Sequence, residues 1–95
     1  MNGRFLMIPE NLGAEVLANE VKLKWTEINI DRIKNIKIYK AEENADFKLL
    51  TTLPKNKQDY SDSAVQKGKT YVYKISTIDL TGKESRLSEA FVVNY

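Results

Sequence analysis

The chain has no cysteine and no histidine among its 95 residues. Disulfide frameworks, thiolate nucleophiles, Cys/His zinc sites and the usual imidazole base are removed together. With two prolines and four glycines, it also lacks the composition of a collagenous or low-complexity chain. No charge of one sign dominates: 15 basic and 13 acidic residues leave a net charge of +2 and are interleaved, without a polybasic tail. A nucleic-acid or membrane-surface binder would gather its basic residues on one element, because phosphate neutralisation supplies most of that affinity. Neither nucleic acid nor direct membrane insertion is therefore expected. The one early apolar run, Phe5 to Ile8, is too short for the hydrophobic region of a signal peptide or for crossing a bilayer. Missing cysteines leave the compartment open, since a chain with a continuous core stands in either redox environment.

What is present is the material of one small folded domain. Hydrophobic residues make up 42% and charged residues 29%, with one Trp, five Tyr and three Phe. A chain of this size buries roughly 60 to 65% of the surface its unfolded form exposes, around a single core.

From Leu12 onward apolar residues recur at every second position, the period of a strand. Leu12, Ala14 and Val16 alternate with Gly13, Glu15 and Leu17, and Asn19-Glu20 offers a turn. Val21, Leu23 and Trp25 then alternate with Lys22, Lys24 and Thr26. Glu27 to Arg32 is a polar connection with two isoleucines, and Ile33 to Ala41 reads as a third strand. Phe47 to Leu53 has strong β propensity and stops at Pro54, whose missing N–H suits a strand end. Asp59 to Asp62 is a short strand and Thr70 to Asp79 the clearest one, with Tyr71, Tyr73, Ile75 and Thr77 on one face. Leu80 to Lys83 makes a turn, and Leu87 to Tyr95 holds the last strand. Helix over Asn11 to Glu20 ranks second, because Gly13 interrupts it and no apolar stripe exceeds a turn. Seven short strands with turns about every 8 to 12 residues predict an all-β, seven-stranded antiparallel two-sheet sandwich of the immunoglobulin-like kind.

Three segments together resemble a fibronectin type III domain, particularly those of bacterial extracellular proteins. Val21-Lys22-Leu23-Lys24-Trp25 resembles the strand whose Trp enters the core, and Ile36-Lys37-Ile38-Tyr39-Lys40 resembles the next. Gly68 to Ile75, followed by Asp79 to Ser85, resembles the penultimate strand and its loop. The resemblance covers residues 9 to 95 and leaves residues 1 to 8 as a leader or interdomain segment. It departs from the family at Lys67, where Pro often precedes the Gly, and no Arg-Gly-Asp stands in the Leu80 to Lys83 loop, which removes the best-known integrin-binding mechanism. The resemblance implies a non-catalytic accessory or spacer module of a secreted or cell-surface bacterial protein, an adhesin or a carbohydrate-active enzyme. Its partners would be neighbouring domains of a longer chain, the domain itself a monomer, and Phe5 to Ile8 a docking strand for a neighbour or an extension of the first strand.

The residues allow finer expectations. Trp25, in phase with Val21 and Leu23, should fill the space between the sheets. Tyr71 follows a glycine-containing connection, so its hydroxyl should donate to a main-chain carbonyl near Val65, as in a tyrosine corner. Lys37 and Tyr39 on the third strand, and Val72 and Lys74 on the sixth, should point outward together as a face for a protein or glycan ligand. Lysine stems around an aromatic are also how an exposed sheet ordinarily covers itself. On such a face Tyr39→Phe should cost less than about 0.5 kcal/mol. Asp59, Asp62, Asp79 and Glu84 read as local caps of strand ends and turns, since no Asp-x-Asp-x-Asp spacing exists for calcium. No metal, cofactor or catalytic residue is expected.

Overall fold

A computed structural model describes residues 10–26 and 30–95. The expectations for residues 1–8, Phe5 to Ile8 among them, and for Glu27, Ile28 and Asn29 lie outside the described residues. The strands are β1 (Glu10–Val16), β2 (Val21–Thr26), β3 (Ile33–Glu42), β4 (Lys48–Pro54), β5 (Asp59–Asp62), β6 (Thr70–Asp79) and β7 (Phe91–Asn94), with a 3-10 turn at Ile30–Arg32 before β3. All pairings are antiparallel. One sheet runs β1-β2-β5 and the other β4-β3-β6-β7.

The period-two pattern decides which side of each strand is dry. Val21, Leu23 and Trp25 of β2 face Ile36 and Ile38 of β3, Tyr71, Tyr73 and Ile75 of β6, and Val93 of β7 in one core. The indole of Trp25 is 5% exposed, and its N–H donates to the Lys57 carbonyl at 3.0 Å, a tie to the β4–β5 loop that the strand pattern did not contain. The expected alternation along β1 stops early. Leu12 and Ala14 pack on the core, but Val16 is 50% exposed, because it sits where the sheet ends opposite Val21.

Three turns show why the polar stretches break the strands. Leu17 N–H donates to Glu20 O and closes the β1–β2 turn. Asn44, at φ 66°, carries the β3–β4 turn in the left-handed region that Asn tolerates. At the end of β6, one Asp79 carboxylate oxygen accepts from Thr81 N–H, Thr81 Oγ and Lys83 N–H, while Gly82 takes φ 90°. Those hydrogen bonds, led by the Thr81 hydroxyl, hold the Asp79 carboxyl below its ordinary value.

The last strand is shorter than the run Leu87 to Tyr95. β7 pairs only with Thr70–Tyr73, and the rest of the β6 edge is covered by an irregular segment. Ser88 Oγ accepts from Ile75 N–H at 2.9 Å and Ser85 Oγ accepts from the buried Thr77 N–H at 3.0 Å. The same two residues donate their own N–H groups back to Ile75 O and Thr77 O. A serine hydroxyl thus stands where a ladder carbonyl would be.

The two ends of the described chain lie at opposite poles. Glu10 pairs with Thr26 at one end of β2. Tyr95, by contrast, is tied to the other end: its N–H donates to Lys69 O and its hydroxyl reaches Leu17 O and Ala18 O at 2.9 Å. The body measures 43 × 24 × 19 Å. Ten residues of β3 or β6 extend roughly 33 Å, so the strands lie along the long axis.

Candidate interaction face

The four residues expected to point outward do share one face. Directly opposite residues lie on the same side of a sheet. Tyr39 is opposite Lys74, Lys37 opposite Ser76, and Ala41 opposite Val72, so Lys37, Tyr39, Val72 and Lys74 cluster on the outer side of the four-stranded sheet. Leu49 lies opposite Tyr39 and Val92 opposite Val72, and both are about half exposed, which extends the face to all four strands. Lys74 Nζ lies 4.8 Å from the centroid of the Phe47 ring, within cation–π range.

A carboxylate that the sequence pattern did not place there sits in the middle of this face. Glu84, carried back onto the sheet by the Gly82 turn through a bridge with Ile78, accepts from Tyr39 Oη at 2.5 Å and from Ser76 Oγ at 2.6 Å on the same oxygen. The cap reading of Glu84 is thereby corrected: it binds across the sheet, not within its own turn. Tyr39 is accordingly not a bare outward phenol. Its hydrogen bond to a charged acceptor makes Tyr39→Phe costlier than an open sheet position would suggest. Burial pushes Glu84 upward, but the hydrogen bonds from Ser76 and Tyr39 and the nearby charge of Lys37 outweigh it, leaving the carboxyl below its ordinary value. Burial, reinforced by Glu84, pushes Tyr39 up to about 12.

These shifts fix the sign of a pH effect. The fold favours the neutral phenol, so the contribution of Tyr39 is complete below its ordinary value of 10.0 and is lost as pH climbs through about 12. Glu84 has the opposite sense, contributing above the ordinary carboxylate range and losing that contribution as pH falls through its lowered value. A near-ultraviolet absorbance titration should show a late-ionising phenol that Tyr39→Phe removes and Glu84→Gln brings earlier. An unchanged curve in Glu84→Gln would assign the whole shift to burial.

The other singled-out residues fall elsewhere. Tyr71 is buried at the base of β6 with its hydroxyl turned back onto the β5–β6 connection, as the corner requires. The direction of the bond is the reverse of the expectation: Gln66 N–H donates to Tyr71 Oη at 2.7 Å. The phenol accepts because the connection presents an N–H rather than a carbonyl at that point.

Asp62 is more than the strand-end cap expected of it. It does accept from Ala64 N–H, yet it is 2% exposed and also receives Tyr73 Oη and Lys40 Nζ, each at 2.7 Å. Lys40 donates further to Ala64 O and lies over the Tyr71 ring. This group joins β5 of one sheet to β3 and β6 of the other. Burial, then the hydrogen bond to Asp62, pushes the Tyr73 phenol far up. Asp59 pairs with Lys57 at the surface. Among the described residues, no three carboxylates converge as a metal site would need.

Sheets of three and four strands, packed around an inward tryptophan with a corner tyrosine, define an immunoglobulin-like sandwich. The strand order β1-β2-β5 against β4-β3-β6-β7 is the fibronectin type III arrangement, and solved structures agree. An Fn3-like protein from Clostridium thermocellum superposes with TM-score 0.77 at 19% identity, covering 92% of this chain and 90% of that one. The spore cortex lytic enzyme of Clostridium perfringens matches at TM-score 0.73 and 20% identity over 95% of this chain, and a pectate lyase of Erwinia chrysanthemi, in complex with tetragalacturonic acid, at 0.74 and 13% over 86%. This chain spans only 29% and 27% of those two enzymes. At such identities the likeness is one of fold. No protein-family model and no curated protein matches the chain. Among the described residues, no helix is long and apolar enough to cross a membrane.

Proposed function

We propose that this domain is a non-catalytic accessory or spacer module of a secreted or cell-surface bacterial protein, an adhesin or a carbohydrate-active enzyme, that arranges neighbouring domains. The observation that carries the reading is the placement of Glu10 and Tyr95 at opposite ends of a body 43 Å long, which sets whatever is joined to each end apart by the length of the sandwich. The likeness in fold to about a quarter of each of two larger enzymes supports it, since the fold there is one part of a longer chain. With no Cys and no His in the sequence, the usual thiolate nucleophile and imidazole base are not available to the domain.

A second reading is a stand-alone binding domain using the outer face for a protein or glycan, and the clustering of Lys37, Tyr39, Val72 and Lys74 beside exposed Leu49 and Val92 favours it. Isothermal titration of the chain against Ca²⁺ and a glycan panel separates the two. The spacer reading expects no heat; a stoichiometric site in the micromolar range overturns it, and loss of that site in Tyr39→Ala would assign it to the outer face.

A further inference from the structure

The pole where β1 begins carries an open groove of about 770 Å³, separate from both the core and the outer face. Buried Ile33 and half-buried Leu53 form its floor, and exposed Pro54 and Leu80 stand at its rim. Leu80 is 64% exposed, more than any other large hydrophobic among the described residues. It is held there, because its turn is closed by three hydrogen bonds to Asp79 Oδ1 and by Gly82 N–H to Asp79 O. An apolar rim fixed in water is stabilised by an apolar segment that covers it.

The chain itself supplies such a segment within reach. Glu10 lies opposite Thr26, the last residue of β2. Trp25, one residue earlier, gives its backbone N–H to Gln58 O and its indole N–H to Lys57 O, in the loop that leaves β4 beside Asn56 of the groove. Two strand spacings, about 10 Å, therefore separate Glu10 from that loop. Counted back from Glu10 at roughly 3.3–3.6 Å per residue, Ile8 reaches about 7 Å and Phe5 about 17 Å, enough to cross the gap and enter the groove. Phe5-Leu6-Met7-Ile8 is apolar throughout. The β1–β2 ladder offers this run no continuation, since β2 ends at Thr26 and Pro9 has no N–H. The register shift between Glu10 and Gly13, with Asn11 at φ 59°, also bends the start of β1. Apolarity and tether select the occupant, and charge does not: Lys34 and Lys55 are exposed beside the groove, while Asp79 is engaged by its own turn.

We propose that Phe5–Ile8 folds back across this pole and seats in the groove, with its side chains on Ile33, Leu53 and Leu80. A segment tethered this closely meets its site at a roughly millimolar effective concentration, so even a weak contact stays closed. The inference does not rest on the spacer reading. It fixes the direction from which the chain enters the domain, and a ligand on the outer face leaves it untouched.

The absence of cysteine makes the test selective, since Gly3→Cys gives the full chain a single attachment point for a nitroxide. Paramagnetic broadening is expected at the amides of Ile33 to Asn35, Leu53, Asn56 and Leu80, and not at Val72 to Lys74 near the other pole. Phe5→Ser combined with Leu6→Ser leaves the core between the sheets intact, so it should abolish that broadening with circular dichroism unaltered. Leu80→Ser should weaken it. A nitroxide-bearing chain without isotope, mixed with an isotope-enriched chain without nitroxide, should broaden nothing. No broadening at the groove, broadening that survives the double serine variant, or broadening in the mixture, which would seat the run on a second copy, would each overturn the proposal.

Discussion

Trp25→Ala is expected to cost about 3–5 kcal/mol, a large share of the roughly 5–15 kcal/mol that holds a domain folded. The indole fills the space between the sheets, against strands that cannot move inward without breaking their own ladders. The cavity therefore stays open, and the lost packing adds to the lost transfer free energy. The Lys57 carbonyl also loses its donor. Urea denaturation measures the loss, and Trp25→Phe, which keeps a ring but no indole N–H, should recover most of it. A loss below about 1 kcal/mol for the alanine variant would contradict the anchoring role of this side chain.

Asp62→Ala should be comparably damaging, at about 3–5 kcal/mol, for a different reason. Removing the carboxylate leaves the Lys40 ammonium with the Ala64 carbonyl and the Tyr71 ring face but no counter-charge, and leaves the Tyr73 hydroxyl without its acceptor in the interior. An uncompensated buried charge costs more than the pair contributed, so the second substitution carries the test. Lys40→Met in the Asp62→Ala background removes the stranded charge and should restore part of the stability. Strictly additive losses in denaturant titrations would show that the two side chains are not energetically coupled.

Much of the fold was legible because burial in β2 and in the first half of β6 follows alternation. Val21, Leu23 and Trp25, or Tyr71, Tyr73 and Ile75, announce both a strand and its inward face, and β5 and β6 have the limits that pattern predicts. The helical alternative over Asn11 to Glu20 fails against the partner strand: β1 gains a ladder to β2 that an isolated helix interrupted by Gly13 could not match. What stayed hidden depends on contacts between residues far apart in the chain. Lys40 and Asp62 each look like ordinary surface charges in their own strands, and only the packing of one sheet on the other brings them to 2.7 Å. Glu84 is likewise distant from Tyr39 in sequence, and nothing local to either predicts their hydrogen bond. The Tyr71 corner was half legible: glycine-to-tyrosine spacing places the hydroxyl, but whether it meets a carbonyl or an N–H depends on the backbone of the loop. Ser85 and Ser88 carry no signal of their edge-covering role, since a hydroxyl replacing a ladder carbonyl breaks the period that reveals strands.

The opposite-pole placement of the chain ends has a mechanical consequence. A load applied through Glu10 and Tyr95 would draw β1 and β7 outward along their own axes, in opposite directions and from different sheets. The ladders β1-β2 and β6-β7 would then be strained in shear, with their cross-strand hydrogen bonds sharing the tension, rather than peeled apart one at a time. The Tyr95 hydroxyl, bound to the β1–β2 turn, and the Lys40–Asp62 pair lie across the directions in which the sheets would slide. Resistance to such a load is governed by the barrier to unfolding rather than by equilibrium stability. A domain loaded this way transmits tension between whatever it joins while keeping its length.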